Sequence, residues 1–474
     1  MNSKRILLSA DHGLAVIYFL QSDVVPSLLQ AGVEVVLLTD EALQDKIQQR
    51  FNQPGLIVEG LRLKQCQEYF QREAHAVQWW LDFLRRAGAS NRINLEAVDS
   101  YIHQVEAEAH TRRRLLFPAM KAVCAVMRRA RFARQAVVEL QARFTPFLYR
   151  DLFERYQPSL VLASTPGWRY DRYLLREAAM RNVPTASVIV GWDNTSSYSL
   201  PGAKVDFITC WSEIQKKELM LGSDWQAEQV NIGGIPSYDG YFRRSWLIPK
   251  EEYFRLHGLE EDRALIAHAC SFVSFSPNLQ NVEALARLVA EDQLVKPAQL
   301  LVRLHPNHFM DIPRFAAERE AIMQLARELK HIHVVEPLPL GGAFGYYSGE
   351  DMPEKSSMMA YADVFTTVYS TMLVEAGIHN CPLVSVCIDS PSGWKGKYTL
   401  PLSKIGGWPT HSRYLQSGAG LLAQDEASLR DALNFYLENP LAHAQERQAF
   451  IQRECTFTDG SAGKRTAAAI LSLL

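Results

Sequence analysis

Short apolar runs rich in Val, Ile and Leu recur along the chain, each ending in a polar or glycine-containing loop and separated from the next by a longer helical pattern. That alternation is what βαβ units produce, so it predicts parallel sheets with crossover helices. In the first half the runs read as strands at Arg5–Ala10, Val33–Leu38, Leu160–Ala163, Thr185–Val190, Phe207–Cys210 and Gln229–Ile232. In the second half they fall at Leu265–Cys270, Leu300–Leu304, His333–Glu336, Val364–Val368, Leu383–Cys387 and Gly420–Ala423. The pattern occurs twice, once per half.

The break falls near Gly240–Asp262, where Tyr241 to Pro249 precede a charged stretch and the next buried strand. The expected fold class is α/β, with two Rossmann-like lobes facing each other across a cleft. The first lobe spans 1–240 and the second 241–474, and the 474 residues suffice for two cores. The stretch from about 65 to 150 lacks strand signals and reads as a helical insert in the first lobe. Gly341-Gly342 through Gly349 reads as a mobile loop beside the cleft, bordering Glu350 and Asp351.

The balance of 50 Lys+Arg against 52 Asp+Glu gives no global attraction to nucleic acid, so attraction to an anionic surface needs a local patch. Such a patch lies in the insert: Arg112, Arg113, Arg114, Lys121, Arg128, Arg129, Arg131, Arg134, Arg143 and Arg150 are opposed only by Glu139. Interleaved with Leu115, Leu116, Phe117, Val123, Val126, Met127 and Phe132, it reads as a basic amphipathic region for an anionic membrane or acceptor, as a solvated face paired in part with the acidic stretch Glu96–Glu108, or as an RNA-independent oligomer contact. The seven cysteines are far apart, without a CxxC pair, and read as reduced packing residues. No apolar run has the roughly 20 residues needed to span a bilayer, and the first residues do not form a signal-peptide core. The expected location is cytoplasmic, with peripheral attachment to the inner face of the membrane as the further reading of the insert.

Open parallel sheets bind ligands outside the carboxyl ends of their strands. In the first half, Asp11 and His12 follow the first strand and suit a carboxylate–imidazole base; the alternative is that Asp11 caps the next helix. Trp192, Asp193 and Asn194 combine a stacking ring with hydrogen-bonding neighbours suited to a sugar acceptor, or else form a turn over a buried ring. In the second half, Ser271 follows one strand end, and Arg303 and His305 reach the rim of another that Pro306 terminates. Ser370 and Thr371 can cap a helix and present hydroxyls and N–H groups to a phosphate, with Glu375 one turn later on the same face for ribose hydroxyls. Each also has a purely structural reading, as loop histidine, N-cap or first-turn glutamate. No HExxH, paired CxxC or clustered carboxylate motif predicts a metal, and neither a P-loop nor G-x-G-x-x-G is present.

Gly234-Ile-Pro236 with Tyr238-Asp239, His305-Pro306, Ser370-Thr371 before Glu375-Ala376, and the late Asp459-Gly460-Ser461-Ala462-Gly463-Lys464-Arg465 together resemble the GT-B glycosyltransferase superfamily. Within it the chain is most similar to the CDP-glycerol glycerophosphotransferase-like group and the bacterial sialyl- and Kdo-transferases. It departs from them where Tyr369-Ser370-Thr371 replaces Asp-Ser-Ser, and it has no Gly-Gly-Ser donor loop.

The resemblance implies transfer of a sugar from a nucleotide-sugar donor, held by the second lobe, to a hydroxyl of a surface polysaccharide or glycolipid, with no metal or other cofactor. His305 would contact the donor phosphate, Ser370 and Thr371 would bind phosphate, Glu375 would take the ribose or donor sugar, and Arg465 would join the donor set. His12 is preferred over Asp11 as general base because its pKa needs less tuning. UDP-N-acetylglucosamine 2-epimerases share the two lobes and a His-Pro strand end and are the nearest rival. A non-catalytic nucleotide-sugar or glycan-binding protein is the rival from another class.

Overall fold

The computed structural model describes residues 4–271, 277–343, 345–390 and 401–474, leaving aside the side chain of Thr111. Its strands are β1 (Arg5–Ser9), β2 (Glu34–Thr39), β3 (Leu56–Gly60), β4 (Leu160–Ala163), β5 (Thr185–Val188), β6 (Phe207–Cys210) and β7 (Val230–Ile232) in the first half. The second half holds β8 (Ala264–Ala269), β9 (Ala298–Arg303), β10 (Ile332–Val335), β11 (Pro339–Gly341), β12 (Tyr346–Tyr347), β13 (Val364–Thr367), β14 (Leu383–Val386) and β15 (Leu421–Ala423).

Two parallel sheets result, one of seven strands in the order β3-β2-β1-β4-β5-β6-β7 and one of six in the order β10-β9-β8-β13-β14-β15. Both are doubly wound: the chain moves outward one way from the central strand, then returns and moves out the other way. The reversal leaves a crevice between β1 and β4 in one sheet and between β8 and β13 in the other. The central strands are apolar on both faces, Ile6-Leu7-Leu8 and Leu265-Ile266-Ala267 being fully buried, because helices cover both sides.

The chain divides into two compact units, and the division departs from a single cut at 240. The first unit runs up to Asp239 and regains Leu340–Tyr347 and Cys455–Leu474; the second comprises Gly240–Pro339 and Ser348–Glu454. The expected second lobe of 241–474 is therefore too long at its end. The reason is local chemistry: Asp239 accepts the backbone N–H groups of Ala462 and Gly463 at 2.9 and 2.8 Å, capping the helix Ala462–Leu471. Ala467 and Ile470 of that helix then join Val24, Leu28 and Leu8 in the first unit's core.

Leu340–Tyr347 likewise belongs to the first unit. β11 and β12 pair as a ribbon, Tyr346 is fully buried and donates its hydroxyl to Ala10 O at 2.6 Å, and Tyr347 N–H donates to Gly13 O at 2.9 Å. The stretch read as a mobile loop thus braces the backbone on both sides of Asp11 and His12.

The helical insert runs from Leu63–Arg72 to Arg150–Tyr156 and has its own core around Phe83, Val98, Phe117, Cys124 and Met127. All seven cysteines are buried and none is in a disulfide. Among the described residues no helix is long and apolar enough to cross a membrane.

Candidate functional site

At the first unit's crevice the chain turns sharply after β1. Asp11 N–H donates to Ser164 Oγ after β4 at 2.9 Å, tying the two central strands together. Asp11 Oδ2 accepts the backbone N–H of Asp171 at 2.7 Å, at the start of the helix Asp171–Met180. Its other oxygen, Oδ1, is buried without a hydrogen-bond partner among the described residues. Burial, and then the negative charge of Asp171, hold the Asp11 carboxyl well above the usual carboxylate range. Asp171 is itself raised to about 6, chiefly by burial, although Thr165 donates N–H and O–H to it at 3.0 and 2.7 Å. Asp171 has those donors, whereas Asp11 Oδ1 has no partner among the described residues, so Asp11 is the stronger proton acceptor of the pair.

His12 is set differently from the expectation that made it the preferred base. Its Nδ1 accepts the Leu14 backbone N–H at 3.1 Å, so the neutral ring carries its proton on Nε2. Burial, followed by the charge of Arg169, pushes its pKa well below the usual value and keeps it neutral. A neutral imidazole with Nδ1 engaged and Nε2 protonated donates a hydrogen bond and has no free lone pair for a proton.

Trp192, Asp193 and Asn194 follow β5, two strands from β1 and so about 10 Å along the sheet. Trp192 is buried rather than presented as an open stacking face. Gln215 fixes the turn by donating to Gly191 O and Trp192 O, both at 3.1 Å. Asp193 takes the Ser197 hydroxyl at 3.0 Å and the Asn194 side-chain amide at 3.4 Å. The trio is therefore a braced turn.

In the second unit, Ser271, His305 and Ser370-Thr371 stand just beyond the carboxyl ends of the adjacent strands β8, β9 and β13. Ser271 Oγ is buried without a partner among the described residues, while its N–H donates to Asn278 Oδ1 at 2.9 Å. His305 Nδ1 accepts Asn307 N–H at 3.1 Å, which again leaves the proton on Nε2. Burial, then His308, Lys355 and Arg303, push its pKa down to about 3, so His305 is a neutral N–H donor. His308 accepts His305 N–H through Nδ1 at 3.1 Å and makes a 2.8 Å bond from Nε2 to buried Glu318. Glu318 also accepts the N–H groups of Asn278 and Leu279 at 2.5 and 3.1 Å, so one carboxylate holds the loops after β8 and β9.

Ser370 Oγ accepts Met372 N–H at 3.2 Å and caps the short helix Met372–Ile378; Thr371 makes no such bond. Tyr369 before it has φ +42°, a left-handed conformation costing a side-chain-bearing residue about 1 kcal/mol. Its ring packs against His411 with centroids 3.7 Å apart, and its hydroxyl donates to Leu402 O. Glu375 is buried, and its Oε2 accepts the Tyr241 hydroxyl at 2.7 Å and pairs with Lys355 at 2.5 Å.

Two expected donor-site residues are otherwise employed. Arg303 is buried, with its guanidinium paired to both Asp351 and Glu354. Arg465 belongs to the first unit, where it pairs with Asp459 at 2.8 and 2.9 Å and lies 3.9 Å over Phe457. Lys355 and Glu318 went unread in the sequence, since each stands on a helix far from any recognisable motif. Among the described residues, no group of three or more His, Cys, Asp or Glu side chains is placed to hold a metal ion.

No protein-family model matches the chain, and no curated protein matches it in sequence. Solved structures do match in fold. UDP-GlcNAc 2-epimerase from Neisseria meningitidis, bound to UDP-GlcNAc, is 10% identical with a TM-score of 0.53, covering 99% of this chain and 100% of that one. S. aureus MnaA with UDP is 13% identical, TM-score 0.53, covering 99% and 98%. A glycosyltransferase from Rickettsia africae is 10% identical, TM-score 0.51, covering 99% and 98%. The fold is thus two parallel-sheet α/β domains of GT-B type.

Proposed function

We propose that the chain is a nucleotide-sugar enzyme of glycan biosynthesis, and specifically a glycosyltransferase that moves a sugar to a hydroxyl acceptor. The observation that carries this reading is the pairing of Ser271 and His305 just beyond the adjacent strands β8 and β9, the imidazole held neutral with its proton on Nε2 and near the cation Lys355. A diphosphate leaving group needs such fixed donors, which stabilise developing negative charge without reorganising. Ser370 and Thr371 extend the phosphate-binding edge, and Glu375 anchors Lys355 and meets the ribose or donor sugar. Asp11 is the general base on the acceptor side, its raised pKa making it a willing proton acceptor once ionised. No step in this scheme calls on a metal. The acceptor is a surface polysaccharide or glycolipid, and the kinship to CDP-glycerol glycerophosphotransferase-like, sialyl- and Kdo-transferases rests on His305-Pro306 and Ser370-Thr371.

A second reading, a UDP-N-acetylglucosamine 2-epimerase-like enzyme, draws support from solved structures of such epimerases with the same fold over almost the whole chain. One experiment separates them. CMP, CDP, UMP, UDP, GDP and ADP are screened by thermal shift on wild type and His305→Ala. The sugar nucleotide of the base that binds is then incubated with and without acceptor, following nucleotide release and the configuration at C2. Release that requires acceptor and is lost in His305→Ala supports the transferase. Epimerisation without acceptor replaces it with the second reading, and selective binding with no turnover leaves a nucleotide-sugar-binding protein.

A further inference from the structure

The ten cations between Arg112 and Arg150 do not act as one group. Lys121 pairs with Glu106 at 2.5 Å, Arg128 with Asp99 at 2.6 Å, and Arg134 with Asp224 at 2.6 and 2.8 Å. Arg113 lies 4.4 Å over the Trp79 ring, with His75 at 3.1 Å. Those four hold the insert together. Arg112, Arg114, Arg129 and Arg131 are exposed and have no carboxylate partner among the described residues. They stand just before and just after the helix Phe117–Met127.

That helix has an unusual outer face. Phe117, Cys124 and Met127 turn into the insert's core, while Ala119, Ala122, Val123, Ala125 and Val126 face outward and are exposed. No outward position carries a polar side chain, since Lys121 is half-buried against Glu106. At its two ends, Leu115 is 78% and Phe132 74% exposed. The result is an apolar strip about 16 Å long with unpaired arginines at both ends.

We propose that this strip is a docking surface for an anionic lipid bilayer, lying in the plane of the interface with Leu115, Leu116, Val123, Val126 and Phe132 among the acyl chains and the four arginines at the lipid phosphates. Charge complementarity selects this occupant. A second copy docked face to face would crowd like charges at both ends, and a nucleic acid would meet its cations only beyond a face with no hydrogen-bonding group. The inference stands apart from the reaction proposed above, because every residue in it lies outside the strand-end sites.

The test is co-sedimentation of the full chain with vesicles of phosphatidylcholine alone and of phosphatidylcholine mixed equally with phosphatidylglycerol. Wild type is expected to pellet with the anionic vesicles only, and to be released as salt is raised. Each arginine neutralised should weaken binding about fivefold, so R112Q/R114Q/R129Q/R131Q together should lose roughly several hundredfold. L115S/L116S/F132S should lose binding at an unchanged Tm, since all three side chains are exposed. The proposal is overturned if wild type ignores anionic vesicles, or if the quadruple variant pellets like wild type. It is equally overturned if the serine variant merely converts a dimer to a monomer in sedimentation velocity.

Discussion

The backbone N–H of Asp171 donates to the carboxylate of Asp11 at 2.7 Å, joining the end of β1 to a helix 160 residues further on and burying two carboxyl groups together. Both are raised, Asp171 from 3.8 to about 6 and Asp11 well above the usual carboxylate range, chiefly by burial. The folded state therefore holds protons in a range where the unfolded chain has released them, and stability must fall as pH rises from about 4 through 6 and beyond. Asp11→Asn keeps an acceptor for Asp171 N–H and removes one of the two buried charges. Urea unfolding between pH 5 and 8 should give a shallower decline for this variant than for wild type, and the transfer activity proposed above should fall by about a hundredfold or more. An unchanged pH slope would separate Asp11 from the proton linkage.

His12 and His305 are both predicted to stay neutral with the proton on Nε2 across pH 5 to 8, because a backbone N–H occupies Nδ1 in each and burial opposes the charged form. Long-range proton–nitrogen NMR spectra report tautomer and charge directly, and His12→Gln and His305→Gln assign the signals. A ring that titrates within this range, or that carries its proton on Nδ1, would remove the donor role argued for it.

Every strand expected from the sequence is present, within two residues at each end, because a doubly covered sheet demands strands apolar on both faces and such runs stand out. β3 escaped notice because it is an edge strand: only Leu56 of Leu56-Ile57-Val58-Glu59-Gly60 is fully buried. Asp11, Ser271, His305 and Ser370 also stand just beyond strand ends, as the sequence pattern places them. What sequence could not supply were bonds made by distant partners. Nothing near Arg465 announces that Asp239 will draw its helix into the first unit, and nothing near Arg303 announces Asp351 and Glu354. The tautomer of His12 likewise follows from a single backbone N–H, that of Leu14, which no residue type encodes.

Glu318 is expected to matter more for the second unit's site than any strand-end residue apart from His305. Its carboxylate is buried and accepts from the backbone and side-chain amides of Asn278, from Leu279 N–H and from His308, so Glu318→Ala strands four donors at once. Unfolding in urea should show a loss of about 3 kcal/mol or more. Glu318→Gln retains part of the acceptor set, so it should cost less while weakening nucleotide binding through the displaced His305 loop. A stable Glu318→Ala variant with wild-type nucleotide affinity would show that the loops after β8 and β9 are held some other way.

Gly202 meets Gly167 so closely that a side chain has no room between them. A Cβ at Gly202 would lie 1.8 Å from Gly167 O, and Gly167 has φ +80°, a conformation only glycine adopts freely. The contact is locked by Gly202 N–H donating to Pro166 O at 2.8 Å and by Arg176, which gives Gly202 O two bonds at 2.9 and 2.7 Å. Backbone faces backbone, so no flexible side chain can yield. Gly202→Ala must push apart the loop that carries Thr165, the residue donating to Asp171. The expected cost is about 3 kcal/mol by urea unfolding, with a measurable change in the pH slope set by Asp11 and Asp171. A loss below about 0.5 kcal/mol, the usual range for a surface substitution, would mean the two loops separate freely.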